Sequence, residues 1–177
     1  MSRIRVTGGE WRSRMIQVID GSGLRPTPDR VRETLFNWLG QDLRGLRCLD
    51  LFAGSGILGF EAASRGAAHV TLVEKERRAF LQLQRNAAMF DDPRLQPIRA
   101  DALEFAAPGN AGYDLIFLDP PYRHGWLEKV EPLLSRLAKP GARLYVEAEH
   151  SLEHLGDWCT VKQGTAGQVF FHLLEHV

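Results

Sequence analysis

The chain has 177 residues, 44% of them hydrophobic and 25% charged, which suits one well-filled core and excludes two ordinary domains. The net charge is zero, and no run of about 18 apolar residues offers a membrane helix or a signal peptide, so a cytoplasmic protein is expected. The two cysteines, Cys48 and Cys159, lack C-x-x-C spacing, which argues against a disulfide framework and a metal site. We expect both to be reduced core residues.

The amino-terminal part of the chain is basic. Residues 1–47 contain 9 Lys and Arg against 5 Asp and Glu. Residues 3–7 and 11–19 alternate around Gly8-Gly9, which predicts a β-hairpin that leads into a Gly/Pro loop. Its arginines suit contacts with nucleic-acid phosphates, and a solvated basic segment is the alternative that charge alone allows. The candidates on this arm are Arg3, Arg5, Arg12 and Arg14.

A helix is predicted after the arm. Thr27 suits the N-cap, Pro28 the first helical position, and Gly40 the stop. We place the basic hairpin arm and its loop in residues 1–24 and the main domain in residues 25–177. One apolar helix face is formed by Val31, Leu35, Trp38 and Leu39.

Strands and helices then alternate along the chain. Short runs rich in Val, Ile, Leu and Phe predict strands that are buried on both faces, at 47–52, 69–73, 95–99, 113–118 and 142–147. Helical patterns separate most of them, at 57–65, 76–89, 102–106 and 126–138, the last with a break or restart at Pro132. This order predicts a doubly wound, mainly parallel sheet. The tail segments WCTVKQ and QVFFHLLEH predict an antiparallel hairpin at its edge.

A glycine-rich turn follows the first core strand. DLFAGSG begins at Asp50, and G-x-G-x-x-G runs from Gly54 to Gly59. Ligands of open α/β sheets bind beyond the carboxyl ends of the strands, and glycine lets a ligand approach the backbone. Glu74, 20 positions after Gly54, could accept hydrogen bonds from both hydroxyls of a ribose. Both features are compatible with NAD.

Asp50 favours another cofactor. Its carboxylate stands where the pyrophosphate of NAD would need positive potential. S-adenosylmethionine has a ribose for Glu74, no phosphate, and two cationic groups that suit a nearby carboxylate. The alternative for Asp50 is to accept hydrogen bonds from the turn amides. Asp101, after the third strand, could contact the adenine amino group or cap the short helix that follows, and the two roles are compatible.

A second motif, Asp119-Pro120-Pro121-Tyr122, follows the fourth strand and indicates amino methylation. The lone pair of a nucleobase exocyclic amine is delocalised, so the amine needs acceptors that favour pyramidal geometry. Asp119 and the carbonyl of Pro120 can accept its hydrogens, and the two prolines fix the loop. Tyr122 can stack on a base that is unpaired or flipped out. Asp119 is the candidate to accept the proton during in-line methyl transfer.

The motifs DLFAGSG, LVEKE and FLDPPY and the upstream segment GLRPTPDRVRETLFNWL together resemble the bacterial RsmD family, 16S rRNA (guanine(966)-N2)-methyltransferases, over nearly the whole chain. DLFAGSG and DPPY also occur in many amino methyltransferases, including DNA adenine enzymes, so the upstream segment is more family-specific. The resemblance implies a class I, Rossmann-like methyltransferase with a seven-stranded sheet, a carboxyl-terminal antiparallel hairpin and an amino-terminal β-hairpin extension. Its implied S-adenosylmethionine site contains Asp50, Ala53, Gly54, Ser55, Gly56, Glu74, Asp101 and Ala102.

The upstream segment carries Arg25, Arg30 and Arg32, of which some are expected to face phosphate or the cleft. Arg30 and Asn37, with Glu33 and Thr34, could close over the cofactor. An ordinary core helix with salt-bridged arginines explains the same pattern. Glu147 is a lesser candidate that would order loops around the cleft. Arg25 and Arg123 are further candidates for RNA phosphate contacts.

The leading hypothesis is an S-adenosylmethionine-dependent methyltransferase that acts as a monomer on a guanine N2 amine of 16S rRNA in an assembling small ribosomal subunit. A DNA adenine-N6 methyltransferase would use the same DPPY chemistry, but the chain has little room for a separate sequence-reading domain. A non-catalytic RNA-binding assembly factor would have no need for Asp119 followed by both prolines.

Overall fold

The computed structural model describes residues 1–20, 26–109 and 112–177. The helices are α1 (Asp29–Leu39), α2 (Ile57–Ser64), α3 (Arg77–Phe90), α4 (Ala102–Ala106), α5 (Trp126–Val130) and α6 (Leu134–Leu137), with a 3₁₀ turn at Glu131–Leu133. The strands are β1 (Ser2–Arg5), β2 (Met15–Val18), β3 (Arg47–Asp50), β4 (His69–Glu74), β5 (Leu95–Arg99), β6 (Tyr113–Leu118), β7 (Ala138–Ala148), β8 (His154–Leu155), β9 (Trp158–Ala166) and β10 (Val169–His176).

The main sheet has the strand order β5-β4-β3-β6-β7-β10-β9-β8. Strands β5 to β7 are parallel, whereas β10 runs antiparallel to both β7 and β9. Helices separate the successive parallel strands, so the doubly wound architecture is confirmed, with the carboxyl-terminal hairpin at its edge. The two-residue strand β8 extends the predicted seven strands by one.

The register of the sheet brings three acidic residues to one edge. Asp50, the last residue of β3, pairs with Phe117 of β6. Leu118 of β6 pairs with Val146 of β7, so the next residues of the two strands, Asp119 and Glu147, are neighbours. Carboxyl ends of parallel strands meet at the same edge of a sheet, which is where α/β proteins bind their ligands.

Strands β1 and β2 form the predicted amino-terminal hairpin as a separate antiparallel sheet. Its apolar side chains are buried in the same core as α2 and α3, and the Trp11 ring stacks on Phe90 with centroids 4.2 Å apart. The hairpin is therefore packed against the main sheet's helices. The division into residues 1–24 and 25–177 stays a prediction, and its boundary falls outside the described residues.

Three local predictions can be compared with the backbone. The break at Pro132 is confirmed, because a 3₁₀ turn separates α5 from α6. The Thr27 N-cap is wrong: Pro28 occupies the cap position, and no side chain caps α1. The prediction of a core residue holds for Cys48 and is wrong for Cys159, which lies exposed on β9.

Within the described residues, no helix is both long and apolar enough to cross a membrane.

A paired cluster of charged side chains lies beneath the hairpin and consists of Arg32, Glu61 and Arg65. Glu61 is fully buried and forms ion pairs with Arg65 Nη1 at 2.8 Å and with Arg32 Nη1 at 3.3 Å. The backbone N–H of Thr7 also donates to Glu61 at 2.9 Å. Arg32 further pairs with Asp29. For Arg32 the structure confirms the alternative of a salt-bridged arginine on a core helix. The charges of the cluster connect α1, α2 and the hairpin.

Candidate active site

The glycine turn after β3 has the backbone geometry that its sequence predicts. Gly54 and Gly56 have φ values of 54° and 92°, in the left-handed region that favours glycine. A Cβ atom on Gly56 would lie 2.5 Å from the Leu83 side chain and 2.7 Å from the Phe60 ring. Gly56 is therefore required by the packing of α2 and α3 under the turn, while its neighbours Ala53 and Ser55 complete the loop.

Asp50 is buried at the base of this turn and is 1% exposed. Burial raises the pKa of Asp50 to about 7, helped by the negative charges of Glu74 and Glu147 and opposed by nearby backbone N–H groups. Its Oδ1 atom is buried without a hydrogen-bond partner among the described residues. A buried carboxylate with a free acceptor atom suits a cationic ligand, since a positive charge would offset the cost of ionisation.

Glu74 closes the turn from the end of β4. Its Oε1 accepts from Gly54 N–H at 3.0 Å and its Oε2 from Glu76 N–H at 2.8 Å. A carboxylate has about four acceptor positions, so Glu74 keeps capacity for two ribose hydroxyls. Asp101 caps α4 by accepting from Leu103 N–H at 2.9 Å, which confirms its capping role. Its contact with adenine stays a prediction, as does the role of the adjacent, buried Ala102.

Two of the predicted cofactor residues, Arg30 and Asn37, lie near opposite ends of α1. The helix starts at the carboxyl edge of the sheet, where Thr27 contacts Glu147, and its final residue, Leu39, accepts a hydrogen bond from Arg143, four residues before Glu147 on β7. Asn37 is exposed near that far end and accepts a hydrogen bond from Gln41 at 2.9 Å. Arg30 is exposed in the first turn. The direction of α1 therefore carries Asn37 away from the carboxyl edge of the sheet.

The DPPY loop borders a pocket of about 200 Å³ that is open to solvent. Pro120 is buried, whereas Pro121 and Tyr122 are exposed. The aromatic rings of Tyr122 and Trp126 and the carboxylates of Glu147 and Glu149 line the pocket. Burial and the neighbouring carboxylates raise the pKa of Tyr122 to about 12, so its hydroxyl is neutral. The pocket combines flat apolar surfaces with hydrogen-bond acceptors, which suits a nucleobase.

Asp50, Asp119 and Glu147 form an acid cluster at this edge of the sheet. The Thr27 hydroxyl donates to Glu147 Oε2 at 2.6 Å and lies 3.4 Å from Asp119 Oδ2. Burial raises the pKa of Asp119 well above its ordinary value, and the Glu147 carboxylate raises it further. Burial also raises the pKa of Glu147. Among the ion pairs of the described residues, none includes a member of this cluster.

Three contacts of the site were not found from the sequence. The sequence predicts Thr27 as a helix cap, whereas its hydroxyl donates to Glu147 of the acid cluster. Tyr145 is buried next to Glu147, and nothing in an apolar strand marks its hydroxyl. Asn86, on α3, donates to the carbonyls of Gln17 at 2.9 Å and Ser55 at 3.2 Å, and so connects the hairpin to the glycine turn. Such a bridge joins distant segments and leaves no local signal.

The predicted RNA-contacting arginines of the arm are all exposed. Arg5 pairs with Asp29 at 2.9 Å, and Arg14 donates to the Met89 carbonyl at 3.0 Å while its guanidinium lies over the Phe90 ring. Arg3 and Arg12 complete this surface. Arg123 is exposed beside the pocket, and Arg25 lies outside the described residues. Arg3, Arg12 and Arg123 are thus accessible to a polyanion.

Comparison with known proteins gives consistent matches. The family model described as conserved hypothetical protein 95 matches residues 4–175. The chain is 42% identical to ribosomal RNA small subunit methyltransferase D of Escherichia coli strain K12, across 98% of this chain and 90% of that protein. A solved structure described as a "putative methyltransferase" from Escherichia coli has a TM-score of 0.90 at 41% identity, covering 99% of this chain and 98% of its own. An RNA methyltransferase from Salinibacter ruber in complex with S-adenosyl-L-homocysteine shares the fold, with a TM-score of 0.68 at 16% identity over 84% and 92% of the two chains.

Proposed function

We propose that this chain, which belongs to the RsmD family, transfers a methyl group from S-adenosylmethionine to the exocyclic N2 amine of a guanine in 16S rRNA of an assembling small ribosomal subunit. The curated relative at 42% identity is a small-subunit rRNA methyltransferase that aligns over nearly its whole length. The chain is accordingly an S-adenosylmethionine-dependent rRNA methyltransferase. The guanine, its N2 amine and the assembling particle are the finer parts of the proposal.

The observation that carries the choice of guanine is the acceptor-rich pocket beside the DPPY loop. Guanine presents two kinds of donor on its Watson–Crick edge, N1–H and the N2 amine. Adenine presents an N1 acceptor next to its amine, which a neighbouring carboxylate would repel. The Pro120 carbonyl, and Asp119 when it is ionised, are acceptors, so the site favours guanine.

The cofactor site is proposed to lie between the glycine turn and the acid cluster. The free acceptor of buried Asp50 suits a cation, and Glu74 suits a ribose. Gly54, Ser55 and Ala53 would line the methionine side, while Asp101 and Ala102 would face the adenine. When bound, the cofactor supplies a methyl group on a positively charged sulfonium.

The residues of the DPPY loop would bind and orient the target amine. Asp119 and the Pro120 carbonyl would accept hydrogen bonds from the two N–H groups of the amine, which localises the lone pair on nitrogen. Tyr122 would stack on the flipped base. Pro120 and Pro121 would hold the acceptors in one geometry, so the loop loses little conformational entropy when the transition state forms. As the new carbon–nitrogen bond forms, Asp119 takes the proton that leaves the amine.

The basic arm is proposed to hold the rRNA by its phosphates. Arg3, Arg5, Arg12 and Arg14 project from the hairpin whose strand β2 touches the glycine turn, and Arg123 lies beside the pocket. Contacts of this kind position the RNA without reading its sequence. The shape of the assembling particle would then select the nucleotide, and a monomer would suffice.

The test is methyl transfer from labelled cofactor to small subunits from cells that lack this protein, followed by nucleoside analysis of the 16S rRNA. We expect N2-methylguanosine. Protein-free 16S rRNA and duplex DNA serve as parallel substrates, and lower activity on both is expected. Label in N6-methyladenine of DNA would support the adenine alternative, and label in no nucleoside, together with no cofactor binding by calorimetry, would support the assembly factor.

A further inference from the structure

Glu147 lies beside Asp119 and is absent from the catalytic roles assigned so far. We propose that Glu147 shares a proton with Asp119 and that this pair, rather than Asp119 alone, takes up the proton released when the amine is methylated. The inference rests on the proposed function for its chemical step. Glu147 would act through Asp119 and is thus a positioning residue.

The geometry of the pair follows from the register of the sheet. Asp119 and Glu147 follow the paired residues Leu118 and Val146 at the ends of two adjacent parallel strands. One oxygen of each carboxyl lies near the Thr27 hydroxyl, at 3.4 Å and 2.6 Å respectively. That hydroxyl has one hydrogen and can satisfy one carboxylate at a time. Glu147, at the shorter distance, is the carboxyl that Thr27 serves.

The two carboxyl groups are close to each other: the same Thr27 oxygen lies 2.6 Å from Glu147 Oε2 and 3.4 Å from Asp119 Oδ2, so these two carboxyl oxygens are at most about 6 Å apart, within the range where like charges interact. A hydrogen bond between two carboxyls requires that one of them carry a proton, because ionised carboxylates only accept. Like charges within about 4–6 Å disfavour double ionisation, as in other carboxylate pairs. The pair therefore holds one proton and one negative charge, and its titration belongs to both groups together.

Among the described residues, the groups that shift the pKa values of the pair carry no positive charge that could replace that proton. Asp50 on β3 adds a third acid, while Tyr122 from the loop and Tyr145 on β7 bring neutral hydroxyls. On β10, His172 accepts from Leu152 N–H through Nε2 and faces the Val146 carbonyl through Nδ1, so its ring is neutral with Nδ1 protonated. The shared proton therefore removes the repulsion that two ionised carboxylates at this distance would have.

The charges of the reaction balance on this pair. Before transfer, the pair is singly negative and the cofactor's sulfur is positive. The sulfur–carbon bond breaks and its electrons remain on sulfur, which becomes a neutral thioether, while the carbon–nitrogen bond forms with the amine lone pair. The methylated amine then loses its proton to the pair, which becomes neutral. Asp119 is half-buried, so the pair can return this proton to solvent.

Glu147 would make the base stronger near neutral pH. Its negative charge raises the pKa of Asp119, and a base whose pKa lies near the working pH transfers protons most effectively. Thr27 acts in the opposite direction, since its hydroxyl stabilises whichever of the two carboxylates it donates to and so lowers the pKa values of the pair. Changes at these two positions should therefore move the same titration in opposite directions.

The first experiment is the pH profile of single-turnover methyl transfer to hypomethylated small subunits. In Glu147→Gln, the acidic limb should move down by about one pH unit or more, because Asp119 loses a negative neighbour. The plateau rate should fall about tenfold, because the remaining base is weaker. In Thr27→Val the limb should move up, and Thr27→Ser should restore it. Glu175→Gln, an exposed glutamate on the neighbouring strand β10, is the matched control with an unchanged profile.

A second measurement needs no substrate: the melting temperature of the cofactor-free variants against pH. Folding raises the pKa of both carboxyls, so their contribution to stability is complete below their ordinary pKa values and is lost as pH rises through the folded values. Glu147→Gln removes one of them, so its melting temperature relative to wild type should rise between about pH 5 and pH 8. A difference that stays constant with pH would overturn the shared proton whatever the substrate.

These two measurements separate the pair from the proposed function. If the melting difference depends on pH but neither variant moves the acidic limb, the pair exists and its role as proton acceptor is refuted. If Glu147→Gln and Thr27→Val lower the rate equally at all pH values, both residues only support the loop. Failure to form N2-methylguanosine would refute the proposed function instead, and the melting measurement would still decide the pair.

Discussion

Two clusters of charged residues lie near the start of α1 and differ in how their charges are paired. In the paired cluster, Glu61 is fully buried, forms ion pairs with two arginines and accepts a hydrogen bond from a backbone N–H. In the acid cluster, Asp50, Asp119 and Glu147 lie close together, the pKa values of all three are raised, and Asp50 Oδ1 has no hydrogen-bond partner in the described part of the chain. A fold that only needed stability would pair its buried charges, so the unpaired acids mark the place where ligands supply what is missing.

The largest expected effect comes from breaking the acid cluster at Asp119. Asp119→Ala should reduce the rate of methyl transfer by about 10²–10⁴-fold, because it removes both the acceptor for the amine and the base. Cofactor affinity, measured by calorimetry, should change little, since Asp119 belongs to the amine side of the cleft. An equal loss of cofactor binding would assign Asp119 to the structure of the site.

Breaking the paired cluster should instead cost stability. Glu61→Gln leaves Arg32 and Arg65 buried without their carboxylate, and we expect the free energy of unfolding to fall by about 3–5 kcal/mol. Urea unfolding monitored by circular dichroism measures this. Glu175→Gln, the exposed control, should lie within about 0.5 kcal/mol of wild type. A loss at Glu61 no larger than that of the control would remove the distinction between the two clusters.

Asp50 offers a test of the acid cluster through the pH dependence of cofactor affinity. Its pKa is raised to about 7 in the cofactor-free protein, so it gains its negative charge as pH rises through neutrality. The affinity for cationic S-adenosylmethionine should therefore increase between about pH 6 and pH 8, and Asp50→Asn should lower it by about tenfold at the higher pH. Calorimetric titrations at several pH values test this, and an unchanged pH dependence in the variant would contradict it.

The smallest effect is expected from exposed charges that belong to neither cluster. Replacing Arg3 and Arg12 by Gln should weaken RNA binding and reduce the salt slope of its affinity by about 1 for each phosphate that the variant no longer neutralises. Cofactor affinity and stability should stay close to wild type. Arg44→Gln, an exposed arginine beside Asp42 before β3, is the control. An identical salt slope in the arm variant would show that these arginines face solvent in the complex.

The periodicity of the chain was sufficient for most of the fold. The five parallel strands lie at the predicted apolar runs, and the interrupted helix near Pro132 follows from the missing N–H of proline. Thr27 shows where local reasoning failed. Ser and Thr before a helix are usually caps, but here a carboxylate more than a hundred residues away lies 2.6 Å from the hydroxyl and accepts its hydrogen instead.

The candidate site divides in the same way. The sequence by itself determined the residues whose chemistry depends on neighbours in the chain: the glycine turn with Asp50 before it, Glu74 at the next strand end, and the DPPY loop. Only the tertiary structure decided which carboxyls are neighbours and which arginines form ion pairs, as Arg32 does with Glu61. The physical reason is that sheet register and burial set the distances between charges. The charges that interact lie on β6 and β7 or on α1 and α2, which are separate segments of the chain, and no local sequence pattern in one segment reveals its contact with the other.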